Sequence, residues 1–208
     1  MEADQSPAPS RRPLKTRSHR WAQVLASGLV KMRVSPNAIS VAGIGIALLG
    51  GTILWSTGRG WLPNGLVLFL GATCVQLRLL CNMLDGLVAV EGGLKSKAGD
   101  LFNELPDRLE DLFLLVGAGY ASGSVELGWL CTALALLTAY VRALGGSLGQ
   151  PQDFCGPGAK PHRMFFLTVG CLAGIFHPMA LRWSLWLIAF VTLVTVVRRT
   201  VRLYRRLP

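Results

Sequence analysis

The sequence predicts an all-α integral membrane protein: a bundle of six transmembrane helices preceded by an N-terminal amphipathic helix lying in the membrane interface. Three observations carry that prediction. Only 15% of the 208 residues are charged and 51% are hydrophobic, whereas soluble domains carry about a quarter charged residues. Apolar runs recur along the chain, close to the roughly 20 residues needed to cross a bilayer core. Basic residues crowd alternate loops, the pattern that marks the cytoplasmic side.

Taken in order, residues 1–13 are rich in Pro, Ser and Arg, a composition that favours disorder. Residues 14–34 change character. Trp21, Val24, Leu25, Gly28, Leu29 and Met32 recur at helical spacing, with Arg17, Arg20, Gln23 and Lys31 on the opposite face. A basic amphipathic helix with a Trp suits the interface. Ser35-Pro36-Asn37 then forms a turn with Pro36 at a helix start, where its missing N–H costs nothing.

The transmembrane domain is expected over 35–200, with apolar runs at 39–55, 62–84, 101–120, 127–144, 165–180 and 183–197. A basic tail, 201–208, follows. Lys95, Lys97, Lys160, His162, Arg163 and the tail arginines lie in one set of loops, while the alternate loops hold only Arg59 and Arg182. This places both termini in the cytoplasm of a cell whose inner membrane holds the protein. Trp55, Trp61, Trp129, Trp183 and Trp186 fall at the opposite ends of the spans, as an aromatic belt does.

The formal charge of +10 comes from 21 basic and 11 acidic residues. Because the basic residues flank apolar runs, they point to an anionic membrane surface and away from nucleic acid. The five cysteines show no C-x-x-C spacing, so neither a zinc site nor a disulfide framework is indicated. Residues 1–20 lack the apolar core of a cleavable signal peptide.

Against this apolar background the segment 82–111 stands out. Residues three, four and seven apart share a helix face, so Arg78, Asn82 and Asp85 line the cytoplasmic end of the second span. Asp100, Asn103, Glu104, Asp107, Glu110 and Asp111 form a stripe on the third. A Gly-rich loop with Gly92 and Gly93 joins the two helices, which predicts an antiparallel pair with the stripes facing. Ionisable groups at a membrane edge are costly and mark functional sites. Oxygen-only ligands suit a hard cation such as Mg²⁺, Mn²⁺ or Ca²⁺. Gly86, Ala89 and Gly99 leave room for a pyrophosphate near the backbone. Pro106 is expected to kink the third span.

At these residues the chain resembles the CDP-alcohol phosphatidyltransferase family, whose signature is D-x2-D-G-x2-A-R-x8-G-x3-D-x3-D. Asp85, Gly86, Ala89, Gly99 and Asp107 match without gaps, while Asn82, Val90 and Asn103 replace Asp, Arg and Asp. The Pro36-Asn37 opening of the first span, the preceding helix and the six-span layout belong to the same likeness. It implies transfer of a phosphatidyl group from a CDP-linked donor, chiefly CDP-diacylglycerol, to an acceptor hydroxyl with release of CMP. The alternatives are transfer from a CDP-alcohol to diacylglycerol, or a non-catalytic relative that binds a nucleotide-lipid.

The resemblance also implies roles. Asp85 and Asp107 would hold Mg²⁺ or Mn²⁺, helped by the carbonyl oxygens of Asn82 and Asn103 and by Asp100. Asp107 would be the general base. Asp85, Gly86, Ala89, Gly99 and Asn37 would shape the CDP pocket, and Arg78 would stand in for the missing Arg. Arg142, Lys160 and Arg163 would make a basic acceptor pocket for a small alcohol or phospho-alcohol. A homodimer in the lipid membrane, with its active site facing the cytoplasm, completes the expectation.

Overall fold

The computed structural model describes residues 20–93 and 97–207, without the side chains of 97–100 and 103. The segment expected to be disordered, 1–13, lies outside the described residues, as do 14–19 of the amphipathic segment. The described residues form seven helices and no strand: α1 (Arg20–Lys31), α2 (Pro36–Trp55), α3 (Asn64–Glu91), α4 (Lys97–Ala121), α5 (Val125–Ser147), α6 (Lys160–Gly174) and α7 (Ala180–Tyr204).

Local chemistry explains the first boundaries. Arg33 takes a left-handed conformation, φ 57°, that ends α1. Ser35 then caps α2, its side chain accepting from the Ala38 N–H at 3.2 Å, with Pro36 at the first helical position. α1 is amphipathic in an unusual way. Its small residues Ala22 and Ala26 are fully buried in a cluster with Ile39, Met83, Leu84, Leu87 and Val88. Trp21, Val24, Leu25 and Met32 instead face outward.

Four helices, α2, α3, α5 and α7, are long and apolar enough to cross a membrane, and the chain is an integral membrane protein. α4 is equally long but carries a charged first half, and α6 has only 15 residues. α4 continues through Pro106, the expected site of a kink, as one helix.

The packing order differs from the expected pairing of consecutive helices. α3 and α4 touch only slightly; each packs instead along α2, and the ring closes through α5, α7 and α6 back to α3. The reason is the smallness of α2. A Cβ on Gly50 would lie 2.6 Å from Cys74 of α3 and 3.0 Å from Leu114 of α4. A Cβ on Gly43 would meet Glu110 of α4 at 2.5 Å and Cys81 of α3 at 3.5 Å. Backbones approach closely at such seams, as is common between membrane helices. Long polar side chains of α3 then reach α4 past this thin helix.

A carboxylate cluster at one end of the bundle

The starts of α2, α4 and α6 and the ends of α3, α5 and α7 meet at one end of the molecule, and the polar residues meet there. Asp85 is buried near the end of α3. The Ser40 hydroxyl, one turn into α2, donates to its Oδ2 at 2.8 Å. Its Oδ1 has no hydrogen-bond partner among the described residues. An orphaned, buried carboxylate oxygen is expensive, and it asks for a cation.

One turn earlier, Asn82 reaches across to α4. Its Nδ2 donates to Asp107 Oδ1 at 2.5 Å and to Glu110 Oε2 at 3.3 Å. The remaining heteroatom of Asn82 is its carbonyl oxygen, a neutral hard donor. Asp85, Asn82 and Asp107 thus lie on adjoining turns of two helices and offer oxygen ligand atoms, with the Asn82 amide nitrogen and the Lys160 ammonium both turned toward Asp107 in this structure. That donor chemistry fits Mg²⁺ or Mn²⁺ and not zinc. Gly99, Asp100 and Asn103 belong to α4, but their side chains are outside the described ones.

Behind this front lies a buried ionic core. Arg78 is fully buried and pairs with Glu110 at 2.9 Å and Asp111 at 2.5 Å. Arg163, from α6, meets the other Asp111 oxygen at 2.6 Å and donates to the Gly158 carbonyl at 2.6 Å. Two guanidiniums therefore share one carboxylate. Lys160, at the first turn of α6, sets its ammonium on Asp107 and lies 3.7 Å from Glu110.

The three expected acceptor residues are consequently split. Lys160 and Arg163 turn inward onto carboxylates. Arg142, on α5, pairs with Glu104 and stacks its guanidinium over Phe154, 5.1 Å from the ring centroid. A small cleft beside it is lined by Asp153, Arg199 and Arg206. Arg199 ties the 150–159 segment to the bundle, donating to the Cys155 and Thr138 carbonyls at 2.9 Å each. Burial works against the Asp153 charge, yet the Cys155 N–H and the Arg202 and Arg206 guanidiniums hold its carboxyl below the usual range.

Asn37 is half-buried in the first turn of α2, and Gly86 and Ala89 are half-buried along α3, whereas Val90 points outward. Ser40 and Arg199 had no signal in the sequence beyond an ordinary serine and a tail arginine. A cavity of about 450 Å³ lies at the other end of the bundle between Trp55, Phe113, Tyr120 and Trp129. It is apolar and holds none of the carboxylates.

No protein-family model matches the chain. Individual proteins do. A phosphatidylinositol phosphate synthase of Mycobacterium marinum is 26% identical over 186 residues, covering 84% of this chain and 76% of that protein. The inner membrane protein YnbA of Escherichia coli is 29% identical over 180 residues, covering 82% of this chain and 85% of that one. The crystal structure of Mycobacterium tuberculosis phosphatidylinositol phosphate synthase (PgsA1) with CDP-DAG bound superposes with a TM-score of 0.77 at 24% identity, over 89% of this chain and 94% of that chain. A second structure of that synthase, in complex with manganese and citrate, gives 0.76 at 24% identity over 88% of each chain. At that identity the structural likeness is one of fold.

Proposed function

We propose that the chain is a CDP-alcohol phosphatidyltransferase-like membrane enzyme, similar to the phosphatidylinositol phosphate synthases, and that it transfers a phosphatidyl group from CDP-diacylglycerol to a small alcohol or phospho-alcohol. The observation that carries this reading is the contact of Asn82 on α3 with Asp107 on α4, one helical turn from the bare, buried oxygen of Asp85. A six-span layout, with α4 and α6 as polar-ended spans and α1 in the interface, is supported by the basic residues at this end of the bundle and would set the cluster at the cytoplasmic membrane edge. A lipid-linked donor has its pyrophosphate at that depth.

In the reaction the acceptor oxygen bonds to the lipid-side phosphorus, the phosphorus–oxygen bond to CMP breaks, and the hydroxyl proton leaves. Asp107 takes that proton. Lys160 and the Asn82 amide orient its carboxylate. Asp85 and Asp107, with the Asn82 and Asn103 carbonyl oxygens and Asp100, would hold Mg²⁺ or Mn²⁺. Such an ion, when bound, would supply positive charge against the charge developing on the pyrophosphate. Gly86, Ala89, Gly99 and Asn37 would shape the pocket for the CDP moiety. Arg142, paired with Glu104 and stacked over Phe154 beside Arg199, would be a cation for a charged acceptor. Two copies of the chain would form the working unit in the lipid bilayer.

The test is CMP release by purified protein given CDP-diacylglycerol, Mn²⁺ and a panel of acceptors that includes glycerol phosphate and inositol phosphate. Asp107→Asn is expected to lower the rate by about 10²–10⁴-fold, Asp85→Asn to abolish Mn²⁺ dependence, and chelation by EDTA to stop turnover. CDP-diacylglycerol binding without CMP release for every acceptor would leave a binding protein in place of an enzyme.

A further inference from the structure

Among the described carboxylates paired at this end of the bundle, Glu104 is the outlier. Its side chain is 49% exposed, against 1% and 2% for Glu110 and Asp111, 14% for Asp107 and 15% for Asp153. Its Oε2 takes the Arg142 guanidinium of α5 and lies 3.4 Å from that of Arg108, one turn further along α4. Both arginines are largely covered, with side chains 16% and 20% exposed. A solvent-facing carboxylate thus lies across two guanidiniums that are themselves held in place. Phe154 backs Arg142, and Arg108 Nε donates to the Glu104 carbonyl at 3.3 Å.

That position suits an external anion. Converging guanidiniums match the geometry of a phosphate, whose charge of about −1.5 to −2 and three acceptor oxygens exceed what one carboxylate offers. An exposed ion pair is worth little, and a displaced Glu104 returns to water, so the exchange costs little. Its place in the fold agrees. Arg108 lies 3.6 Å from Asp107, the proposed base, and residues three apart on one helix face are about 5–6 Å apart, as Glu104 and Asp107 are placed. A small phospho-alcohol bridges such a span between its hydroxyl and its phosphate. Beyond Arg142 the cleft runs on past Arg199 and Arg206, where the better-covered Asp153 lies 3.1 Å from Arg202 and 3.7 Å from Arg206. Arg142 and Arg108 are the pair whose counter-charge is free to swing aside into solvent.

We propose that Glu104 is a tethered competitor for the acceptor's phosphate: its carboxylate rests on Arg142 and Arg108, and a phosphorylated acceptor displaces it to bind there. Glu104 thereby sets specificity. It shields the two guanidiniums from weaker anions, and it lowers the apparent affinity for a phosphorylated acceptor according to the fraction of molecules in which it is seated. This rests on the acceptor reading above, in which Arg142 meets a charged acceptor.

Calorimetric titration of the full chain in detergent with glycerol phosphate and inositol phosphate, and with glycerol and inositol as neutral counterparts, tests this without turnover. Glu104→Gln is expected to tighten binding of the phosphorylated acceptor about three- to tenfold and to leave its neutral counterpart unchanged. Glu104→Ala should do the same, and in an Arg142→Met background Glu104→Gln should gain nothing. Unchanged or weaker binding in folded Glu104→Gln and Glu104→Ala would overturn the proposal. So would an equal gain for the neutral alcohol, or a gain that survives Arg142→Met. Failure of both the wild type and Glu104→Gln to bind either phosphorylated compound would overturn it too. CMP release with neutral alcohols alone would sink it while the transferase reading stands. The expected binding pattern without CMP release from any acceptor would keep the role of Glu104 and remove the transferase.

Discussion

Arg78 shows how much a single residue can decide in this molecule. It sits on α3 with no exposure, spans to α4, and neutralises both Glu110 and Asp111. Removing one partner from a buried ionic group leaves the others uncompensated, at a cost of about 3–5 kcal/mol. Arg78→Met is therefore expected to lower the thermal unfolding midpoint in detergent sharply. Arg163→Met should do less, because Asp111 keeps its 2.5 Å contact with Arg78. Equal losses in the two variants, measured by circular dichroism melts, would show that the two guanidiniums do not back each other up. Helical periodicity set Arg78 and Asp85 on one stripe and Asp107 on another, because it reports which residues share a face; in the structure Arg78 reaches Glu110 and Asp111 of α4, while Asp85 turns to Ser40 of α2. It had no means of telling that Lys160 and Arg163 turn toward acids: a basic residue at a span end looks the same whether it serves topology, substrate or a buried carboxylate.

At the scale of elements, α2 is the piece on which the site depends. It separates α3 from α4 and is thin because glycine recurs on its packed faces. At Gly51 a Cβ would stand 2.4 Å from the Phe113 carbonyl oxygen, and at Gly117 of α4 one would stand 2.5 Å from the Gly51 carbonyl. Both clashes are with backbone, which does not swing aside. Gly51→Val is expected to push α2 and α4 apart and destabilise the fold by about 1–3 kcal/mol, read as a lower melting point. Gly45→Val, where nothing lies within 4 Å, should be close to neutral and serves as the control. An equal effect at both positions would argue against the tight seam. The same seam explains why α3 and α4, consecutive in sequence, are not packed neighbours. Loop length predicted adjacency, but side-chain volume chose the partners.

For the whole molecule, the ring of six helices gathers alternate termini at one end and buries the charged groups there. The opposite end carries tryptophans, with Arg59 stacked 3.4 Å over Trp55 and Trp61 edge-on to Trp55 at 5.9 Å. Basic loops at one end and an aromatic rim at the other is the asymmetry expected of a protein with its active site in the cytoplasm. A cysteine placed at Arg59 is expected to react with a membrane-impermeant maleimide on intact cells, and one at Ser147 only after permeabilisation. The reverse labelling would invert the topology and put the carboxylate cluster on the wrong side for a cytoplasmic CDP-linked donor.

By itself the sequence determined the class of molecule and the candidate residues: helices long and apolar enough for a membrane, and acidic side chains at spacings that two helix faces can bring together. Those are properties of composition and periodicity, local along the chain. Only the tertiary structure decided that α2 stands between the two helices, that Ser40 holds Asp85, and that Lys160 comes from a helix more than fifty residues away to sit on Asp107. Such pairings depend on which faces are thin enough to pack and on where each buried charge finds its counter-charge, and no local pattern records either.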